Sequence, residues 1–354
     1  MKQLHVRPAS VCCKRTERFF RSRGLQLMPE ALTPIVDRAL DSGARRHLLH
    51  RAGLGPSLIA GVDDRATNLD ALLDSLASWP ILLGDGQWVG GADGQAVSDA
   101  LRDGARHTGR GRADTSSFSR WWLRQMLTSK QPLEEELALL WHNHFATNAS
   151  DIAGGTGDPT SMMLDQHGLF RGYGLADGNF AELARGIIRD PAMLTYLNND
   201  VNVKAHPNEN FSRELMELFT LGEGRYSEHD VKQGARALTG YGVKDRAFHF
   251  ELNDHDLNQK SILGRTGRFN GEDFVQILLE QDAGALFIAQ RLYRHFLADT
   301  FEDEDRDAAA VIAALAQVLR ANGYQLGPAL QALFRSEHFF APSNRGTKIK
   351  SPAQ

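Results

Sequence analysis

Cysteine is nearly missing from this 354-residue chain: there are two, Cys12 and Cys13, adjacent and near the N-terminus. Two neighbouring thiols provide no disulfide framework and, alone, no zinc site. They lie in the least patterned part of the chain, so a cysteine nucleophile is not expected. No apolar run reaches the length of about 18 residues that a transmembrane helix needs. Charge of one sign is not in excess either. The formal net charge is −4 with histidine neutral, which predicts no general attraction to nucleic acid or to an anionic membrane. Also missing are a Gly-x-Ser-x-Gly elbow, a dinucleotide or phosphate-loop fingerprint, and any repeat of roughly 20–50 residues.

Residues 1–53 lean toward Lys and Arg, and 14–23 mix basic with aromatic side chains. No apolar stretch follows that would make this a signal peptide. Residues 1–30 are therefore expected to form a basic, disordered tail that proteases trim first. Residues 31–354 are expected to form a single helical domain, with a Gly-rich loop or insertion at 84–111.

What is present is helical periodicity. The composition, 42% hydrophobic and 24% charged, suits a globular chain. Helical spacing recurs over 32–54, 67–77, 118–128, 133–146, 180–188, 191–197, 208–221, 272–280, 283–297, 307–321 and 326–335, and Ser227-x-x-Asp230 resembles a capping signal for a helix to Leu238. Residues 149–160 read as a polar loop, and Phe248-His249-Phe250-Glu251-Leu252 alternates as a strand does. The fold class is mainly α: an irregular multi-helix domain with at most a small β-hairpin near 241–263.

Chemistry concentrates in three stretches. The first is the helix over 208–221, with Asn208 as N-cap and Gly222 as the left-handed terminator. Phe211, Leu215, Leu218 and Phe219 form its buried stripe. Glu209, Arg213 and Glu217 align on the opposite side, flanked by Asn210 and Glu214. The second is Trp141-His142-Asn143-His144-Phe145. His142 and His144 lie far apart around one helix, so they cannot grip one ion together. His144 falls on the inward stripe and reads as a buried histidine bonded to a backbone carbonyl. The third is Asp254-His255-Asp256 with Lys260 beyond, which reads as a solvated turn or a functional loop.

These stretches belong to a longer series. The pieces are 47–56 (HLLHRAGLGP), 120–127 (RWWLRQML), 141–145 (WHNHF), 190–197 (DPAMLTYL), 207–222 (PNENFSRELMELFTLG) and 226–240 (YSEHDVKQGARALTG). After them come 255–264 (HDLNQKSILG), 335–340 (RSEHFF) and 349–352 (IKSP). In this order the chain resembles the large bacterial family catalogued as domain of unknown function 1800. The resemblance implies a mostly helical domain and brings no established activity. Family members are often encoded beside a second uncharacterised family that looks exported, which implies an envelope or exported protein partner. Tyr241 stands where the family usually has Trp. Family chains run on past the IKSP piece, so the domain is expected to be truncated at its C-terminus. The helix over 326–334 and Phe339-Phe340 are then expected to leave apolar surface exposed.

Two functions from different classes are open at this point. One is an enzyme, of hydrolytic type, acting on a cell-envelope or extracellular polymer. Its polar cleft would combine His142, Asn143, Glu209, Arg213, Glu217, His255, Asp256 and Lys260, with roles unassigned. Such carboxylates and imidazoles also have the chemistry to hold a divalent metal. The alternative is a non-catalytic helical scaffold or binding protein whose charged motifs are structural ion networks.

Overall fold

The computed structural model describes residues 30–35, 40–53, 68–77, 81–82, 88–89, 115–152, 159–298 and 305–348. The expected tail lies outside the described residues except for Glu30, and so does the Gly-rich stretch except for Trp88 and Val89. The described chain is mainly α. It begins with α1 (Ser42–Arg51) and α2 (Leu69–Leu76), followed by a two-residue antiparallel pair, β1 (Ile81–Leu82) with β2 (Trp88–Val89). Then come α3 (Thr115–Thr128), α4 (Pro132–His144), α5 (Ala149–Ile152), α6 (Pro159–Tyr173), α7 (Phe180–Ile187) and α8 (Pro191–Tyr196). Helix α9 (Asn210–Glu214) runs directly into a π-helix (Leu215–Thr220), and α10 (Glu228–Ala237) follows. Two antiparallel hairpins come next: β3 (Tyr241–Lys244) with β4 (Ala247–Phe250), and β5 (Lys260–Ile262) with β6 (Arg265–Gly267). The rest is helical: α11 (Gly271–Glu280), α12 (Asp282–Phe296), α13 (Arg306–Ala321), α14 (Leu326–Arg335) and α15 (Glu337–Phe340). Among the described residues, no helix is long and apolar enough to cross a membrane.

Local chemistry explains most boundaries. Pro132 and Pro191 occupy first-turn positions, where a missing N–H costs nothing. Ser227 and Asp230 cap α10 reciprocally, and Asn270 and Asp273 do the same for α11. The sequence allowed one small hairpin near 241–263, but 241–267 holds two. Both turn on two residues with positive φ, Asp245-Arg246 (51° and 67°) and Leu263-Gly264 (47° and 79°), which suits the right-handed twist of the strands. Leu263-Gly264 lacks the usual Asn-Gly signal, so the second hairpin is not announced locally.

Helix α6 is the largest element that periodicity misses. Its buried residues include Thr160, Gln166, His167 and Gly168 beside Met162, Leu164 and Phe170. A helix wrapped on most sides and burying polar groups shows little amphipathic contrast. It sits against α4, α7 and α8. Phe170 from α6 joins Phe145, Phe180 and Phe219 in ring contacts of 5.1–6.2 Å at the middle of the main core.

The expectation of exposed apolar surface near the C-terminus is not met. Phe339 and Phe340 are buried, as is every residue of α14. Cover comes from the other end of the described chain. Pro34 bridges Ser336, Ile35 N–H donates to the Arg335 carbonyl at 2.9 Å, and Glu337 N–H donates to Thr33 at 2.8 Å. The His47 ring packs on Phe339 at 4.8 Å. A lone C-terminal helix reads as uncovered because sequence pattern does not reveal which distant segment returns to it.

One buried carboxyl gives a testable pH dependence. Asp190 Oδ2 caps α8 by accepting from Met193 N–H at 2.8 Å and also accepts from Gln166 Nε2 at 2.7 Å. Burial pushes Asp190 up to about 7, against those two hydrogen bonds. The folded state therefore holds a proton that the unfolded chain releases near pH 4, and this contribution to stability falls as pH rises from about 4 to 7. Asp190→Asn keeps a cap acceptor and cannot ionise. Denaturant titrations should show the variant gaining on the wild type across that window, by up to about 1.4 kcal/mol per pH unit. A difference that stays constant with pH would show that Asp190 ionises freely in the fold.

Candidate functional site

The eight predicted residues fall into three groups, and their hydrogen bonds and ion pairs close within each group.

The first group is built on the junction between α9 and the π-helix. Asn208 does not act as the regular cap. The helix begins after Glu209, and Asn208 Oδ1 accepts from Asn210 N–H at 3.0 Å. Gly222 ends the helix at φ 88°, as expected of a left-handed terminator. Between them the backbone changes to i→i+5 bonding, with Leu221 N–H reaching Met216 O at 2.8 Å and the Thr220 hydroxyl donating to Leu215 O at 2.6 Å. The extra residue per turn rotates the faces. Leu218, expected in the buried stripe, is 46% exposed, while Met216 and Thr220 are fully buried.

The same rotation parts Arg213 from Glu217. Arg213 instead grips Glu228 with both Nη atoms, at 2.5 and 2.9 Å, and lies 3.7 Å from Glu209. Such a bidentate fork is the strong form of this pair. The Glu228 hydrogen bonds raise the Arg213 pKa further. Glu217 accepts from the Tyr226 hydroxyl. Burial, then Glu217, raises the Tyr226 pKa. Glu214 is half-buried, and its carboxyl is raised first by burial and then by the charge of Glu217. Tyr226 and Glu228 are the partners that the sequence did not point to. Their signal is spatial, since α10 must fold back onto α9 to deliver both.

The second group is a relay beneath α4. His142 Nε2 lies 2.8 Å from His167 Nδ1, and Arg171 Nε donates to His167 Nε2 at 2.9 Å. Glu135 holds Arg171 at 2.5 Å and accepts from Trp122 Nε1 at 3.2 Å. Arginine can only donate, so His167 Nε2 must accept. Neutral His167 then carries its proton on Nδ1 and donates to His142 Nε2, which leaves the His142 proton on Nδ1. Trp122 and Phe170 pack on the His142 ring at 4.5 and 4.7 Å. Burial, then Arg171, pushes His142 down to about 3. Burial, then His142 and Arg171, holds His167 well below its usual value. Asn143 points away and is exposed. His144 behaves as expected: its Nε2 donates to Phe219 O at 3.0 Å, closing the end of the π-helix.

The third group is not a solvated turn. His255, Asp256 and Lys260 are all buried. His255 Nδ1 donates to Thr239 O at 2.8 Å, and Asp256 accepts from Arg236 Nε at 2.7 Å. Burial pushes Asp256 up, but Arg236 and the Asn258 N–H outweigh it and hold the carboxyl below its usual range. Lys260 Nζ donates to the carbonyls of Asp256 at 2.5 Å and Asn258 at 3.2 Å. Burial lowers its pKa. These groups tie the loop after β4 onto the end of α10.

Among the described residues, no three His, Cys, Asp or Glu side chains are grouped so as to hold one metal ion. No curated protein and no solved structure matches the chain. A family model does match, over residues 47–354, which takes in all three groups. The chain belongs to the family described as protein of unknown function (DUF1800).

Proposed function

We propose that the protein hydrolyses a polar polymer of the cell envelope or extracellular space at the carboxylate face formed by α9, the π-helix and α10. Glu214 is the proton donor, Glu217 the accepting partner, and Arg213 the anchor for substrate oxygens. The observation that carries this reading is the pairing of Glu214 with Glu217 beside Tyr226. One carboxyl is pushed toward its protonated form by burial and by the other's charge. A carboxyl pushed upward beside a second carboxylate is an ordinary means of supplying a general acid near neutral pH. The π-helix supports it, since such turns are frequent at functional sites. An open, half-buried face also suits an extended chain. The envelope setting rests on the family resemblance alone. His142, His255, Asp256 and Lys260 hold the surrounding helices and loop in place.

A second reading, the non-catalytic scaffold, is favoured by the closed network of His255, Asp256 and Lys260. One experiment separates the two. Purified protein is incubated with peptidoglycan and envelope polysaccharides, and released reducing ends are counted. Glu214→Gln is expected to lower the rate at least about 100-fold, the usual worth of a general acid, with an unchanged melting temperature. No release by the wild type from any of these polymers, or full activity in Glu214→Gln, would sink the catalytic reading.

A further inference from the structure

Charged side chains that take no part in the three groups above line a cavity of about 530 Å³. Its walls come from α7, the last turns of α11, the start of β6 and the turn that joins α13 to α14. A string of hydrogen bonds crosses it. Arg185 Nη1 donates to Glu182 Oε1 at 2.7 Å, and Arg185 Nη2 donates to Gln276 Oε1 at 2.8 Å. The Gln276 amide donates in turn to Glu280 Oε1 at 2.9 Å, and Arg265 pairs with the other oxygen of Glu280. Groups that only accept and groups that only donate thus alternate along one lining, with an amide that does both in the middle.

Every charge in this lining has a partner among the described residues. Arg185 pairs with Glu182, Arg265 with Glu280, and Arg320 with Asp282. Glu272, 3.7 Å from Arg185, is taken up by Arg189 at 2.8 Å. The paired groups keep spare capacity, since a guanidinium has five N–H donors and a carboxylate about four acceptor positions. They are also within reach of solvent: the side chains of Arg185 and Glu280 are 27% and 34% exposed. The turn after α13 supplies a fixed backbone wall. Asn179 Nδ2 donates to Gly323 O at 2.9 Å while its Oδ1 caps α7 at Ala181. Tyr324 stands at φ 65°, which is uncommon for a bulky residue. Phe180 N–H donates to Tyr324 O at 3.0 Å, and the Tyr324 hydroxyl donates to Leu279 O at 2.5 Å, which together hold it there. Backbone held in this way clusters at ligand sites.

We infer that this cavity binds a neutral saccharide, as a mono- or disaccharide unit. A ligand with net charge meets no unbalanced charge here. An apolar ligand would strip water from polar groups without replacing their hydrogen bonds. A sugar hydroxyl both donates and accepts, which matches alternating carboxylates and guanidinium groups, and bonds to charged partners are the stronger kind. Side chains already held by one another lose little freedom when the ligand arrives. The volume falls within the range of small-molecule pockets. The site shares no residue with the carboxylate face and stands independently of the hydrolytic reading.

The test titrates the full chain with maltose, cellobiose and N,N′-diacetylchitobiose, and with glucuronate and glucose-6-phosphate as charged counterparts. Binding is read as saturation transfer from protein to sugar, and its place as the shift of the Gln276 side-chain amide in labelled protein. At least one neutral sugar is expected to saturate, to move that amide, and to keep its affinity as salt is raised, because no net charge is being screened. Gln276 and Arg265 are exposed, so Gln276→Ala and Arg265→Ala should keep the wild-type melting temperature and weaken the sugar at least tenfold. Saturation by none of the three neutral sugars, tighter binding of either charged counterpart, or wild-type affinity in both variants would overturn the assignment.

Discussion

Acidification from about pH 7.5 to about pH 5 is expected to unfold this protein. Burial and neighbouring cations hold four imidazoles uncharged in the fold: His142 and His144 at about 3, His47 at about 4, and His167 well below its ordinary value. In the unfolded chain each titrates near 6.5. Below that value the unfolded state takes up protons that the folded state refuses, so stability is present above about pH 6.5 and is lost as pH falls. At pH 5 His142, His144 and His47 cost about 2 kcal/mol each, about 6 together, and His167 acts in the same direction, which is comparable to the whole stability of an ordinary domain. Asp190 works the other way, gaining as pH falls, but it is one group against four. The hydrogen bonds reinforce the effect. Protonating His142 would place a donor at Nε2, where His167 already donates. Urea midpoints measured between pH 7.5 and 5 should therefore fall steeply. A flat profile would mean that these rings charge within the fold. Nitrogen shifts of labelled histidine should show the Nδ1–H form at His142 and His167 and the Nε2–H form at His144.

Gly174→Ala is expected to cost at least about 3 kcal/mol, the upper range for forcing extra atoms into a packed core. Gly174 receives the indole N–H of Trp141 on its carbonyl at 2.5 Å, which brings α4 against the turn after α6. A methyl at Gly174 would stand 2.3 Å from Trp141 Cδ1 and 2.6 Å from the carbonyl oxygen of Phe170. The second contact is backbone, so no side-chain rotation relieves it. Trp141 is fully buried between Phe145 and Phe180, with ring centroids 6.2 and 5.5 Å away, and cannot retreat. Gly224→Ala is the control. Its methyl meets nothing within 4 Å, and only its φ of 75° resists, a penalty of about 1–2 kcal/mol. Equilibrium unfolding of the two variants should rank them in that order. Equal costs would mean that the seam at Trp141 is loose.

Several features of the site were legible because they are local. Proline at the first helical turn, the capping signal at Ser227 and the terminator Gly222 each act within a few residues. The inward turn of His144 follows from its place in an apolar stripe, and its carbonyl partner from the need of a buried imidazole to donate. What was not legible depends on partners far along the chain. Helix α6 hides because it buries Gln166 and His167, and without α6 the partner of His142 has no sequence signal. The three stretches rich in ionisable groups suggested one cleft, since exposed ion pairs alone contribute little. Each stretch has a partner the sequence did not name for it: His167 for His142, Glu228 for Arg213, and Arg236 for Asp256.

By itself, then, the sequence determined the helical class, the terminator Gly222, and which side chains are chemically able to act, because these depend on near neighbours and on period. Tertiary structure alone decided the π-helix, where the regular i→i+4 ladder gives way around bonds from the Thr220 hydroxyl to Leu215 and from His144 to Phe219. It also decided that Glu217 meets Tyr226 rather than Arg213, and that residues 33–35 pair with 335–337. In each case the deciding contact joins groups whose separation in space the chain's own spacing does not reveal.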